Sequence, residues 1–564
     1  MTSTGVFPDE FKLFDLIDVT MKNDPGCVED YGPIVENLNG VFQRTFNEED
    51  HRKLMADSQP FWERLRDTLE GMLLPVHLNE DSSIYYTRTM RGLVLLMRNL
   101  AAENQEIPQK LLLQNLVISG FLHVTSEYVV DTPLVKHLYI ACLTCVYNMQ
   151  QNYSTVDMTT FPALLQFFQY PYGMTFEEDK EEEHFWLPYL FLFKTYLNND
   201  AFSNEFFRDN DTTQDDYYCL RDRIFFHIIT TKFTQDQEDS FVVENGRDYL
   251  DDSKLKITSI DLSVLDCISK SLTCASFGKY LKGFEGREPE NFAKLLQIFQ
   301  LIVTSKEDWN KYELTAIMSW CYPILQRLAA NDIPAFFKKG VNDYTPSVAI
   351  QLHSTLLSCL DIISDLCKFD HVRQFLISYE CVKTLISLLD TFQKNLLRIN
   401  FFKGNSEKVD DIKITDCQGN KIEDRLLIYN RVNANSFFIR ADNFPNCKLV
   451  IVEILASLVY AHPEIQDQIR ELGGLALILS NCVIDDNDPF IKERSIICLK
   501  FLLRNNAKNQ EFVKQMEAQD VVQDDALSKA GFEISVEKGG KVRLVSKKED
   551  SDNEISEIVS VDED

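Results

Sequence analysis

Residues 464–510 read EIQDQIRELGGLALILSNCVIDDNDPFIKERSIICLKFLLRNNAKNQ, and this stretch decides the fold. Glu464 to Leu472 carries Ile465, Ile469 and Leu472 at three- and four-residue spacings, the mark of a short amphipathic helix. Gly473-Gly474 stops it, and Leu475 to Leu479 predicts a second short helix. The stretch Ile484 to Asp488 reads as an exposed polar loop, in which hydration keeps Asp485 and Asp486 ionised and catalytically idle. Pro489 suits the first turn of a helix, so Pro489 to Arg504 predicts a long third one. Asn509-Gln510 then restarts the pattern, and Gln466 to Gln510 is a period of 44.

Short, short and long helices at a period in the forties fall in the armadillo or HEAT range. Elsewhere the unit is echoed. Leu366 to Tyr379 followed by Val382 to Leu389 repeats the first-helix, second-helix order, and Arg91 to Leu100 followed by Asn104-Gln105 copies the junction at Asn509-Gln510. Helical periodicity also marks Phe61 to Leu69, Leu138 to Met149, Phe292 to Val303, Ala316 to Leu328 and Val348 to Leu366. The predicted class is all-α, a helical-repeat solenoid in which each repeat buries its apolar face against the next.

The chain divides, on this reading, into an irregular helical array over 1–392, an insertion over 393–446, a C-terminal repeat domain over 447–548 and a disordered acidic tail over 549–564. Acidic or polar interruptions fall at Thr175 to Glu183, Ser203 to Asp216 and Thr234 to Asp252. The insertion holds strand-like pieces, Ile412 to Thr415 and Leu426 to Tyr429. Phe532, Ile534 and Val536 alternate, Gly539-Gly540 turns, and Val542 and Leu544 alternate back, which predicts a hairpin.

The 564 residues carry 87 acidic against 57 basic side chains, a net charge of -30. Such a surface repels phosphate backbones and anionic lipid heads, so the expected partners are other proteins rather than nucleic acid or membrane. The greasiest run, His184 to Leu197, is interrupted by Lys194 and is shorter than the ~20 residues a bilayer needs. No secretory leader is evident at the N-terminus, and the 14 Cys are scattered, so reduced thiols and a cytoplasmic setting are expected. Asn152-Tyr-Ser154 and Asn210-Asp-Thr212 match glycosylation acceptors that such a setting leaves unused.

Chemistry-bearing constellations are missing. Cys142-Leu-Thr-Cys145 sits inside a helical run, where neither a redox pair nor a zinc pair belongs, so both thiols are read as packing residues, as are Cys267 and Cys274. The 11 Met and nine His show no clustered ligand motif, and His227 between Phe226 and Ile228 reads as a core histidine. No phosphate loop, dinucleotide fingerprint or nucleophile elbow is present. No catalytic residue, cofactor or metal ligand is assigned, and the chain is read as a non-enzyme.

From Phe444 to about Lys548 the chain resembles the C-terminal domain of the ataxin-10 family. The resemblance is carried by Phe444-Pro445, Gln466-Asp467, Glu471 to Gly474, Leu477 to Cys482, Asp485 to Asn487, Pro489 to Ile491, Asn505, Asn509-Gln510, Met516-Glu517 and Lys529 to Glu533. Arg98 to Leu100 with Asn104-Gln105 is similar to the family's N-terminal repeat; between about 150 and 440 the similarity is of architecture only. Arg494 stands where the family has Trp. Gly473, Gly474, Asp485, Asp486, Pro489, Phe490, Asn509 and Gln510 are family-motif residues, read as mainly structural. The resemblance implies an armadillo-like fold, a cytoplasmic scaffold and a part in cytokinesis. Length and acidic insertions look most like the family's fungal branch, where a copper-transport name occurs, although no residue pattern here binds copper.

The leading functional expectation is therefore a protein–protein interaction scaffold, with self-association left open. A soluble copper-handling protein is one alternative. An armadillo-type transport adaptor is another, although Trp62, Trp186, Trp309 and Trp320 fall in no register for a Trp–Asn ladder. In the tail, Ile558, Val559 and Val561 before Asp562 to Asp564 have the form of a SUMO-interacting strand, and Ser551 and Ser560 precede acidic residues as candidate phosphosites. The competing reading, a plain solubilising tail, is favoured.

Overall fold

The computed structural model describes residues 7–128, 130, 132–152, 156–171, 179–208, 221–225, 228, 241–244, 247–250, 258–339, 346–401, 412–433, 436–515, 532–536 and 542–546. Helices dominate, and the sheets among these residues are two-stranded antiparallel pairs. The all-α solenoid reading holds.

Nine long helices form the spine: Tyr31–Asn47, Glu80–Ala101, Thr132–Gln150, Asp179–Leu197, Ser259–Leu272, Pro289–Ser305, Pro346–Leu366, Cys447–Val459 and Ile491–Leu503. Each packs against the next, and the remaining helices pack onto the row. A single buried core runs along it from Phe7 to Leu502, because no repeat closes its own apolar face. Close approach matters at Gly92, where a Cβ would meet Leu38 Cδ2 at 2.0 Å, so only glycine lets the first two spine helices sit this near.

The junction between short helices follows one rule in three repeats. The helices Glu106–Lys110, Asp370–Ser378 and Pro463–Glu471 each hand over to the next through a left-handed residue: Leu112, Glu380 and Gly473, with φ of 54°, 57° and 77°. Each closes the same turn, its amide donating to the carbonyl three residues back, Gln109, Ile377 or Arg470. Glycine takes this conformation without steric cost, whereas leucine and glutamate bear about 1–2 kcal/mol. Surrounding packing outweighs that penalty.

Several sequence expectations shift. The third helix of the quoted unit begins at Ile491, because Phe490 turns left-handed at φ 69°. Leu426 to Tyr429, read as strand-like, lies in the helix Arg425–Arg431, which Asp424 caps by accepting from the Leu426 and Leu427 amides. The acidic stretch ending at Glu183 is helical from Asp179. Among the described residues Ser347–Leu366, rather than His184 to Leu197, is long and apolar enough to span a bilayer by length and composition. It packs between two other spine helices and against Lys311–Arg327, which explains its apolarity. Ile412–Thr415 pairs antiparallel with Arg398–Phe401, and Phe532–Val536 pairs with Val542–Ser546 in the expected register. His227 lies outside the described residues.

Candidate functional site

The solvent side of the spine is a ridge of side chains linked from helix to helix. Asn148 Nδ2 donates to the Arg98 carbonyl at 3.0 Å, and the Tyr147 and Phe191 rings lie 6.2 Å apart. Lys194 pairs with Asp266. Gln297 donates to Ser354 at 2.9 Å and Gln300 to Asp361 Oδ2 at 2.6 Å, while Arg494 pairs with Glu453 at 2.8 Å. On four consecutive spine helices the ridge also exposes a large apolar side chain: Phe191 at 44%, Leu262 at 57%, Leu301 at 50% and Ile350 at 58%. Each is an apolar contact point open to solvent. The sequence alone hid them, because these residues extend the periodicity that marks the core.

The ridge is electrically uneven. At its N-terminal end Arg88, Arg91 and Arg98 share one stripe, and residues 82–102 and 132–152 contain no Asp or Glu. At its C-terminal end Asp361 is raised to about 6, by burial first and then by Glu453. The sign follows directly. A carboxyl whose folded pKa lies above its unfolded one is favoured as the acid, so its contribution falls as pH rises from about 4 through 6. Asp361→Asn keeps the oxygen that accepts from Gln300 and removes the charge. It is expected to raise stability by about 1 kcal/mol at pH 7.5, after allowance for solvent screening, with the gain gone by about pH 4. Thermal melting of both proteins at the two pH values checks this, and equal gains at both would refute it.

Asp485 to Asp488 was read as an exposed loop, and this is corrected: Asp485, Asn487 and Asp488 are 4%, 0% and 0% exposed. Lys448, also buried, donates to Asp485 Oδ2 at 2.7 Å and lies 3.3 Å from Asp488 Oδ2. Burial opposes its charge, yet Asp488 and Asp485 outweigh burial and raise its pKa. Asp488 is raised by burial and by Asp485 beside it, with Lys448 opposing. Asp485 Oδ1 accepts from the Ile399 and Asn487 amides at 3.1 Å each, and Asp486 Oδ2 accepts from the Phe401 amide at 2.6 Å. The Asp486 amide donates to the Ile399 carbonyl at 2.7 Å. Asn443 ties in by donating to Leu397 O at 3.0 Å and to Asn487 Oδ1 at 2.6 Å. Asp488 Oδ1 accepts from the Leu449 amide at the start of the Cys447–Val459 helix, where a negative group is favoured. The loop is thus a clamp that docks the strand Arg398–Phe401, and with it a small separate core of Leu397, Ile399, Ile414 and Val432, onto the repeat. The docked insertion shows the solvent Leu426, Tyr429, Phe437 and Phe438.

The remaining motif residues act in the frame. Gly473 supplies the left-handed turn, and a Cβ on Gly474 would strike Ile386 Cδ1 at 2.4 Å. Phe490 is exposed, after Pro489. Asn509 is buried, donating to Leu502 O at 2.8 Å and accepting from Arg470 at 2.6 Å, while Gln510 donates to Leu503 O. Gln466 donates to Phe501 O at 2.9 Å, and Gln109 in the N-terminal array makes the matching bond to Met149 O at 2.7 Å. Gln466 and Gln109 thus seal the ends of long helices in both places, whereas Asn104 differs from Asn509 in bonding Asp57 and the Glu106 amide. Ile558, Val559, Val561, Ser551 and Ser560 lie outside the described residues.

Cys142 and Cys145 are fully buried, and burial raises both thiols. Cys267 is buried and Cys274 partly so, both free. Among the described residues no group of three or more His, Cys, Asp or Glu is placed to hold a metal ion. All four Trp are buried, so none lines a surface ladder.

Fold and ridge together define a protein of the helical-repeat class. The spinocerebellar ataxia type 10 protein domain matches residues 447–545. The chain is 82% identical over 558 residues to the ataxin-10 homolog of Saccharomyces cerevisiae, covering 99% of each. It is 36% identical to the homolog of Candida glabrata, over 90% of this chain and 94% of that one, and 32% identical to that of Kluyveromyces lactis, over 94% and 95%. The chain belongs to the ataxin-10 family.

Proposed function

We propose that the protein is a non-enzymatic scaffold whose spine ridge binds extended segments or helices of partner proteins. The observation that carries this reading is the row Phe191, Leu262, Leu301 and Ile350, one exposed apolar side chain on each of four adjacent long helices. Apolar side chains exposed on successive stacked helices offer a partner segment separate points of contact. A cytoplasmic setting and a part in cytokinesis belong to the same proposal and rest on the family resemblance.

The test is gentle isolation of the tagged full chain from cells, beside a variant with all four ridge residues changed to serine. Wild-type protein is expected to bring stable partners, and the variant to lose them while melting within a few degrees of wild type. Recovery of bare wild-type protein, or of the same partners on the variant, overturns the reading. Metal analysis of the purified chain addresses copper handling: one tightly held copper per chain would favour it over the scaffold.

A further inference from the structure

Arg88, Arg91, Leu95 and Arg98 lie on the solvent-facing stripe of the helix Glu80–Ala101, at the N-terminal end of the apolar row. Among the described residues no carboxylate pairs with these three arginines, although the chain carries 87 acidic side chains. Arg88 rests over the Tyr85 ring at 5.5 Å. Arg98 donates to the Asn99 side chain at 3.0 Å, a neutral partner. Arg91 is half-buried, and its Nε is enclosed with no hydrogen-bond partner at all. Burial alone lowers its pKa, and for Arg98 burial is joined by repulsion from Arg91. The enclosed Nε of Arg91 forfeits water without gaining an acceptor, and the terminal nitrogens of the half-buried Arg91 are left for an acceptor that arrives from outside.

The next helix supports the same direction. Ile140, Thr144 and Tyr147 face solvent beside the arginines, Tyr147 continues to Phe191, and residues 132–152 hold no acid. The unpaired arginines therefore lie on a helix before those that expose Phe191 and Leu262, while Asp361 and Glu453 lie on later helices of the same spine.

Resting on the scaffold reading above, we infer that Arg91 and Arg98 receive carboxylates from an acidic, aromatic-containing segment of a partner protein. Two fork-shaped guanidinium groups suit bidentate carboxylate recognition. Tyr147 and Phe191 offer rings for the segment's apolar side chains to pack on. Polynucleotide is the poorer fit, because the net charge of -30 repels a phosphate chain beyond this short stretch. Charge complementarity also fixes polarity: the acidic end of the segment lies over the helix Glu80–Ala101, away from Asp361 and Glu453.

The probe is a fluorescein-labelled glutamate–tyrosine random copolymer, titrated with the full chain at 50 mM and 300 mM salt and followed by anisotropy. Wild type is expected to bind with clear salt dependence. Arg91→Gln with Arg98→Gln is expected to weaken binding at least tenfold, and Arg91→Lys with Arg98→Lys to retain part of it. Melting curves and circular dichroism establish that each variant is folded, and the lysine pair keeps the test decisive if the glutamine pair is not. Equal binding by wild type and a folded glutamine pair overturns the inference. So does stronger binding of a 20-base-pair DNA duplex than of the copolymer. The two readings separate in the cell-derived complexes. Partners that survive the glutamine pair but are lost from the ridge variant sink this inference and spare the scaffold. Bare wild-type protein that still binds the copolymer through the arginines sinks the scaffold and spares this inference.

Discussion

Lys448→Met is expected to destabilise the C-terminal repeat by about 3–5 kcal/mol, the cost of leaving buried carboxylates without their cation. Two carboxylates, Asp485 and Asp488, face the single ammonium, and all three groups are buried. Methionine fills similar volume, so the loss is electrostatic rather than a cavity effect. Two companion measurements identify the cause. The defect is expected to shrink as pH falls toward 5, because protonated carboxyls need no cation, and Asp488 is already raised in the wild type. Adding Asp485→Asn and Asp488→Asn is expected to recover at least half of the loss. A defect of constant size between pH 5 and 8, with no recovery in the triple variant, would mean that Lys448 acts through packing alone.

The same loop shows where sequence reading fails and why. Asp-Asp-Asn-Asp has the composition of a solvated turn, and nothing local contradicts that. What buries it is a strand some 85 residues earlier, whose Ile399 and Phe401 amides take up the carboxylates. The available signal was indirect: Lys448 stands alone among apolar residues at the start of Cys447–Val459, and such a charge needs a partner. The repeat itself was legible because 3.6-residue periodicity is a local property and Gly473-Gly474 marks its turn in the sequence. Leu112 and Glu380 make the same left-handed turn with no such mark, since packing rather than propensity holds them there. Periodicity also cannot separate a side chain buried by the next repeat from one on the open ridge. Phe191 and Leu192 are adjacent in sequence, yet one is 44% exposed and the other 0%. The unpaired state of Arg91 depends on which helix lies beside it, a fact of stacking order that no single-helix pattern contains.

Phe444→Ala is expected to cost about 3–5 kcal/mol, and its effect should spread to both sides of the residue. Phe444 is fully buried and sits among Phe336, Phe337 and Phe392, with ring centres 5.6, 5.7 and 5.4 Å away, and beside His353 at 6.0 Å. These neighbours belong to the helices Ile333–Lys339, Pro346–Leu366 and Cys381–Asn395, all preceding the insertion, whereas Phe444 leads into Cys447–Val459. Its ring is therefore a peg from the C-terminal repeat set into the earlier array. His353 Nε2 bonds the Pro445 carbonyl at 2.9 Å and fixes the chain just beyond the peg. Phe444 holds φ at 45°, so alanine gains nothing from backbone relief and the whole effect falls on the lost ring. Phe444→Leu, which retains most of the apolar volume, is expected to cost about 1–2 kcal/mol. Amide hydrogen exchange separates a peg from an ordinary core residue. In the alanine variant, protection should fall in Pro346–Leu366 and in Cys447–Val459 together, while Glu80–Ala101 stays as in wild type. Loss confined to Cys447–Val459 would mean that the two parts are joined through the clamp at Asp485 to Asp488 rather than through Phe444.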